Sequence, residues 1–408
     1  GVWIYPGSLD ERDRFREWFG RLSRLHLTIL ALLFVVVTVT GGYGLYSLKR
    51  ASADGRVLNW RITTELIAER PVTGYGLGAF DTHYMRRQAD WFARGNGTAE
   101  QIMTAGSPNS PFNESLHIWL KKGVVAVVIL IVLLWLLLRA KGRARGVTEE
   151  EVDDESVSSG FNRELLRLEP VVLTGLKGVL ITILLFAQFS YPMNISSFLL
   201  QVVVVAALLA GRTAPVVPLA GVRRLYVALP FALAIVVGVL VMLPQRRDYY
   251  KASKKWREAH RIYTAQSYDY SATLYGEIYE QLRHRGVFLQ MYGKTLNMAG
   301  RYQESNEMLK EAERYMSSQI ISLGIGDNYR AMGDVAHAAE SYRKAHYMMP
   351  YMLYPRYQKA LMYQETGMHT EAVAVARDIL ESDIKVESAA TRYILRRMEE
   401  IIAEYGSK

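Results

Sequence analysis

The sequence contains no cysteine. That excludes a disulfide framework, a thiolate-held zinc ion, an iron–sulfur cluster and a thiol nucleophile. A basic-then-apolar leader is also missing, since the chain opens on Gly1 and a polar, aromatic stretch. The expectation is that it begins partway through a longer gene product. Apolar runs are missing beyond about residue 245, whereas before it several are long enough to cross a bilayer. The mean hydropathy of +0.01 therefore averages a membrane half with a water-soluble half, and a wholly soluble enzyme is excluded. No basic–aromatic nucleic-acid module is present either. The net charge of +9 (49 Lys and Arg against 40 Asp and Glu) is carried largely by basic loop ends, so no nucleic-acid partner is expected.

Five apolar segments qualify or nearly qualify as spans: about 27–46, 118–138, 171–190, 196–211 and 225–243. Arginines 12, 14, 16, 21 and 24 precede the first. Arg139, Lys141, Arg143 and Arg145 follow the second, and Arg212, Arg223 and Arg224 lie between the last two. Cytoplasmic placement of all three groups fits five crossings. It leaves an outer loop at 47–117, a cytoplasmic loop at 139–169, a membrane domain over 1–245 and an exported domain over 246–408. The acidic run Glu149–Glu155 has the composition of a solvated linker. Lys177, inside the third span, is either functional or a lysine snorkelling to the nearby cytoplasmic face.

The exported half repeats. Gly300, Gly333 and Gly367 recur at intervals of 33 and 34 residues. Small residues precede them (Gly293, Gly326, Ala360) and follow them (Ser305, Ala338, Ala372) at constant offsets. A period near 34 marks stacked helical hairpins. This pattern resembles the tetratricopeptide repeat, with units near 287–318, 320–352 and 354–387. A degenerate unit is expected at 256–284 and a capping helix at 388–405. The predicted fold class is therefore all-α: a polytopic helix bundle followed by an α-solenoid. Such arrays bind partners and seldom do chemistry.

Chemistry, if present, falls in the outer loop. Asp54 is placed to cap a helix starting near Arg56, and Pro71 to end it. Gly74, Gly76 and Gly78 form a glycine-rich turn, but it follows no strand, so a nucleotide fold is rejected. The second span opens as Pro111-Phe-Asn-Glu114. On a helix Glu114, His117 and Lys121 share one face. They are either a carboxylate–imidazole–ammonium site at the helix mouth or an ordinary interfacial belt.

Three stretches together carry a resemblance: Gly55-Arg-Val-Leu-Asn-Trp-Arg61, Arg70-Pro-Val-Thr-Gly-Tyr-Gly-Leu-Gly-Ala-Phe80, and Pro111-Phe-Asn-Glu114 opening a span. They are similar to the O-antigen ligase/polymerase superfamily of inner-membrane glycosyltransferases. Ser190-Tyr-Pro192 between close spans also fits, and the added repeats look like the version common in Bacteroidetes. The resemblance implies metal- and cofactor-independent transfer of glycan from an undecaprenyl-diphosphate donor to a lipid, glycan or protein hydroxyl, in a bacterial cytoplasmic membrane with the repeats periplasmic. It implies Arg56 as the donor-diphosphate ligand, and by charge and location Arg61, Arg86, Arg87 and Lys121 are further candidates. Many relatives carry His just before the Asn that opens the helix, and here Phe112 precedes Asn113. The acceptor base is then Glu114 or His117, with His83 a weaker choice. The repeats would dock an acceptor or a protein partner. Family members usually have more spans than the five here, so the chain alone is expected to lack part of the lipid groove. The competing readings are a repeat scaffold on a membrane anchor, without catalysis, and a transporter.

Overall fold

The computed structural model describes residues 24–139, 159–211 and 222–406. The acidic run and the basic clusters at 12–21 and 141–145 lie outside the described residues. Every regular element among the described residues is helical. These residues form two compact units that divide after Asp54. In the first, α1 (Arg24–Leu48) is followed by the opening turn of α2 (Arg50–Glu69). Asp54 does not cap a helix there. It lies inside α2, accepting a hydrogen bond from the Tyr46 hydroxyl at 2.9 Å and pairing with Arg50 at 3.6 Å. The helix thus starts a turn and a half before Arg56, and it stops just before Pro71, where a proline ring disfavours helical backbone.

The second unit holds the rest of α2 and α3 (Ala79–Ala93), α4 (Ala99–Thr104), α5 (Glu114–Leu138), α6 (Ser159–Ala187), α7 (Ser196–Ala210) and α8 (Val222–Thr264). Among the described residues, α5 is the one helix long and apolar enough to cross a membrane. The apolar stretches Val35–Leu48, Val171–Ala187 and Ser196–Ala210 are shorter. The five expected spans therefore reduce to one that meets both criteria, with a fifth apolar segment forming the start of α8. The apolar side chains of α5 to α7 are largely uncovered: Val125, Ile131, Leu185 and Leu200 are each at least half exposed. In water such a surface would aggregate, and in lipid it is solvated.

The 43-residue α8 carries the chain from its apolar start to a charged end without a break. Ala252 and Ala259 near that end are buried against α9 (Tyr268–Glu277), where the Ser271 hydroxyl donates to the Ala259 carbonyl. The short α10 (Tyr279–Leu282) leads into three hairpins. These are α11 (Gly286–Met298) with α12 (Tyr302–Ala312), α13 (Gln319–Ala331) with α14 (Val335–Met348), and α15 (Tyr354–Glu365) with α16 (His369–Leu380). Helix α17 (Ala389–Tyr405) packs on the last of them. The hairpin turns carry Gly300, Gly333 and Gly367, all left-handed (φ 76–79°). A Cβ at Gly293 or Gly326 would stand 2.7 Å from Leu309 or Tyr342, so small residues set how closely the paired helices cross.

The segment between α1 and α5 does not hang free of this array. Leu58, Ile62, Phe80, Tyr84, Trp91 and Leu120 form one buried core, and Met348 from the end of α14 belongs to it. Gln88 is fully buried, and its amide nitrogen donates to the Gly106 carbonyl at 3.0 Å and the Met348 carbonyl at 2.6 Å. The Ser317 amide donates to the Asp81 carbonyl at 2.7 Å, and the Thr82 hydroxyl to that of Tyr315 at 3.0 Å. Helix α3 is thus fastened to the array along its length.

Candidate functional site

The site grows from a break in α5. Gly123 has φ 74° and ψ 179°, a conformation outside the helical region. In an unbroken helix the Val124 amide would bond the Leu120 carbonyl. Here it donates to the Pro71 carbonyl at 2.9 Å, and the freed carbonyls of Leu120 and Lys121 accept from the Tyr75 and Gly76 amides at 2.8 and 2.9 Å. The Trp119 indole also donates to the Pro71 carbonyl. The glycine-rich turn therefore repairs the break in the helix. A Cβ on Gly74 would stand 2.7 Å from the Leu120 carbonyl oxygen, and one on Gly123 1.8 Å from that of Val72. Gly76 and Gly78 also adopt positive φ, and they turn the chain into α3.

The first turn of α5 is held from the opposite side. The Asn113 side chain caps it, accepting from the Leu116 amide at 2.9 Å, while its amide nitrogen donates to the Gln188 carbonyl at 3.1 Å. The Ser115 hydroxyl donates to the Gln188 side chain. Glu114 accepts from the Met193 amide at 3.1 Å, in the 3-10 turn Pro192–Asn194 that joins α6 to α7. The sequence Tyr-Pro-Met-Asn thus packs onto the mouth of α5.

Three expected residues flank this clamp. The Arg56 guanidinium donates to the Phe189 carbonyl at 2.9 Å and lies over the Phe112 ring at 5.5 Å. Its remaining N–H groups have no partner among the described residues. Phe112 has φ 55°, a costly conformation for a non-glycine residue, and its ring packs edge-on against Tyr191. Glu114 and His117 are buried, at 6 % and 5 % exposure, with Oε2 to Nδ1 3.7 Å. That is ion-pair range rather than a hydrogen bond. His117 meets Phe80 edge-on at 6.1 Å.

The other candidates are placed differently. Lys121 is half-buried, and its charge is felt by Asp81 and Glu114. Arg61 lies over the Trp91 ring at 4.5 Å. Arg86 donates to the Glu313 carbonyl in the array, and Arg87 pairs with Glu69. Arg86 thus helps to dock α3 on the array, and Arg87 ties α3 to α2. Glu69, bonded first by the Tyr75 hydroxyl and then by Arg87, is held below the usual carboxylate range. Burial and three nearby arginines lower the pKa of His83, whose ring lies tilted against Tyr75 at 4.4 Å. Asp81 is raised by burial, against the opposing charges of Lys121 and His117. Asp81 and Gly123 were not singled out in the sequence. Gly123 had a signal in Lys121-Lys-Gly123, where a polar pair and a glycine interrupt an apolar run.

No curated protein matches the chain. A family model described as O-antigen ligase matches residues 13–131. The matched stretch is less than a third of the chain and takes in Arg56, the glycine turn, Asn113, Glu114, His117 and Lys121 but none of the helical array. That similarity supports activity of the glycan ligase or polymerase type.

Proposed function

We propose that the chain belongs to a bacterial inner-membrane glycan ligase or polymerase that uses a lipid-diphosphate donor, and that its helical array is of the tetratricopeptide type and periplasmic. The observation that carries this reading is Arg56. Its guanidinium is anchored by one carbonyl and one ring beside a membrane-type helix, and its other N–H groups are left to bind an anion. A guanidinium fork suits phosphate oxygens, which it grips in pairs. In the reaction, an acceptor hydroxyl oxygen bonds to the anomeric carbon as the bond from that carbon to the diphosphate oxygen breaks. The diphosphate leaves with the electron pair, and the hydroxyl proton passes to the Glu114–His117 pair. Glu114, held by the Met193 amide, orients His117 as the accepting base. Enclosure of that pair keeps water away from a donor it would otherwise hydrolyse.

Complementation with the full-length gene tests this, with surface glycan read on a gel beside protein abundance. Arg56→Ala is expected to cut transfer about a hundredfold, the scale of losing one preorganised charge contact. Arg56→Lys should recover only part, and Arg61→Ala should keep the ladder. A ladder of single repeats would indicate a polymerase, and polymer left on the lipid carrier a ligase. A wild-type ladder from Arg56→Ala at normal abundance rejects the assignment.

A further inference from the structure

Where α3 docks on the array, the junction frames an open-sided cleft of about 330 Å³, whose polar residues Asp81, Asn109 and Arg285 are exposed. Its size is at the low end of small-ligand sites. Its walls come from parts of the chain far apart in sequence. Phe80 and Met85 of α3 and Val287 of α11 supply apolar surface. Asp81, Asn109 and Arg285 supply the polar groups. The array's side is held before any ligand arrives. Arg285 bonds the Tyr249 hydroxyl and lies near the Tyr249 and Trp256 rings, at 5.7 and 6.0 Å. His284 Nδ1 is 3.1 Å from the Tyr315 hydroxyl. On the other side, the Asp81 main chain is pinned by Ser317, which leaves its carboxylate without a hydrogen-bond partner among the described residues.

We propose that this cleft binds a neutral sugar residue of the glycan substrate, so that the array contributes directly to substrate recognition. The chemistry selects the ligand. Carboxylate, primary amide and guanidinium together present acceptors and donors to a ring bearing several hydroxyls. Phe80, Met85 and Val287 present apolar surface to the ring's C–H faces. An anion is disfavoured, because Asp81 sets a negative charge against it. Position supports the same ligand: Phe80 forms a wall of the cleft on one side and meets the His117 ring on the other. A sugar seated here lies one side chain away from the pair assigned to acceptor activation.

The inference rests on the glycan-transfer reading, and its test is binding, which does not require turnover. The probes are the oligosaccharide released by mild acid from the host's own lipid-linked glycan and, in a second arm, its lipid-free core oligosaccharide. Each is titrated into the full-length protein in detergent and followed by calorimetry. Wild type is expected to bind at least one of them, and the two arms tell a growing polymer from a core acceptor. Asp81→Asn and Asn109→Ala should weaken binding about tenfold. Val287→Trp, which fills the cleft from its exposed rim, should abolish it at an unchanged unfolding temperature. Equal binding by wild type and Val287→Trp, or no binding of either oligosaccharide, overturns the proposal. So does pyrophosphate binding that Val287→Trp removes. If the sugar binds while Arg56→Ala keeps a full ladder, the subsite stands and the donor assignment falls. If Arg56 is required and no sugar binds, the subsite alone falls.

Discussion

Gly123 shows how one residue sets the geometry of the whole mouth. Its φ of 74° is open to glycine and costly for any other residue. The space is closed too, since a Cβ would overlap the Val72 carbonyl. Gly123→Ala must therefore rotate the backbone toward helix, withdraw the Val124 amide from Pro71 and displace the turn from the Leu120 and Lys121 carbonyls. The loss is then about 1 kcal/mol for each of the three main-chain bonds broken, in place of the backbone term of about 1–2 kcal/mol that an unmoved positive-φ backbone would carry. The expected destabilisation is roughly 3 kcal/mol, read as a lower unfolding temperature in detergent. Gly78→Ala meets no atom within 4 Å and should cost only the backbone term. Equal losses in the two variants would mean that the repair of the break contributes nothing. Part of this was legible in the sequence. The turn was visible, and its rejection as a nucleotide loop agrees with amides that bond carbonyls. Its partner was hidden, because a lysine pair before a glycine looks like an interfacial belt until another segment is seen docking there. The same holds for Arg86 and Arg87: charge and location made them candidates for phosphate, whereas their bonds to the Glu313 carbonyl and Glu69 arise only from the fold.

Helix α3 makes the same point at the scale of an element. No helix was expected over Ala79–Ala93, and nothing in a local pattern names the surface that such a helix will cover. The hairpins were readable to within a few residues, because glycine turns and small crossing residues recur at fixed spacing, and local contacts dictate local structure. The attachment of α3 to α14 is a pairing across some 260 positions, as between Gln88 and Met348, and it leaves no periodic trace. Gln88 holds that attachment. Replacing it with alanine strands the Gly106 and Met348 carbonyls and removes a partner 2.8 Å from the buried Tyr84 hydroxyl. Each stranded buried group costs about 1–3 kcal/mol, so Gln88→Ala should release the segment locally. Hydrogen exchange is expected to rise in α3 and at the end of α14 while α15–α17 stay protected. Unchanged exchange in α3 would show that the apolar core around Phe80 and Met348 suffices to hold it.

At the scale of the molecule, the continuous α8 joins the array to an apolar helix and the docked α3 joins it to the mouth of α5, so the array's stability bears on the site's geometry. His346 makes that stability depend on pH. It lies in the last turn of α14, and burial, with Arg356 nearby, lowers its pKa from 6.5 to about 4, while Asp378 pulls the other way. Above pH 6.5 the ring is neutral in both folded and unfolded chains and contributes no pH dependence. Below it the unfolded chain takes up a proton that the folded chain refuses. Stability therefore falls as the pH drops from 6.5 toward 4, and below that the effect levels off. The shift corresponds to at most about 3 kcal/mol. Asp327 and Asp81, both raised by burial, act in the opposite direction. The acid slope of the wild type alone is therefore ambiguous, and the difference from a His346→Gln variant is the informative quantity. Thermal unfolding of the full-length protein in detergent, at intervals between pH 7.5 and 4, should show the wild type losing stability relative to His346→Gln through this window. Curves that stay parallel would mean that His346 accepts its proton inside the fold, through a local opening of α14 that would also loosen its grip on α3.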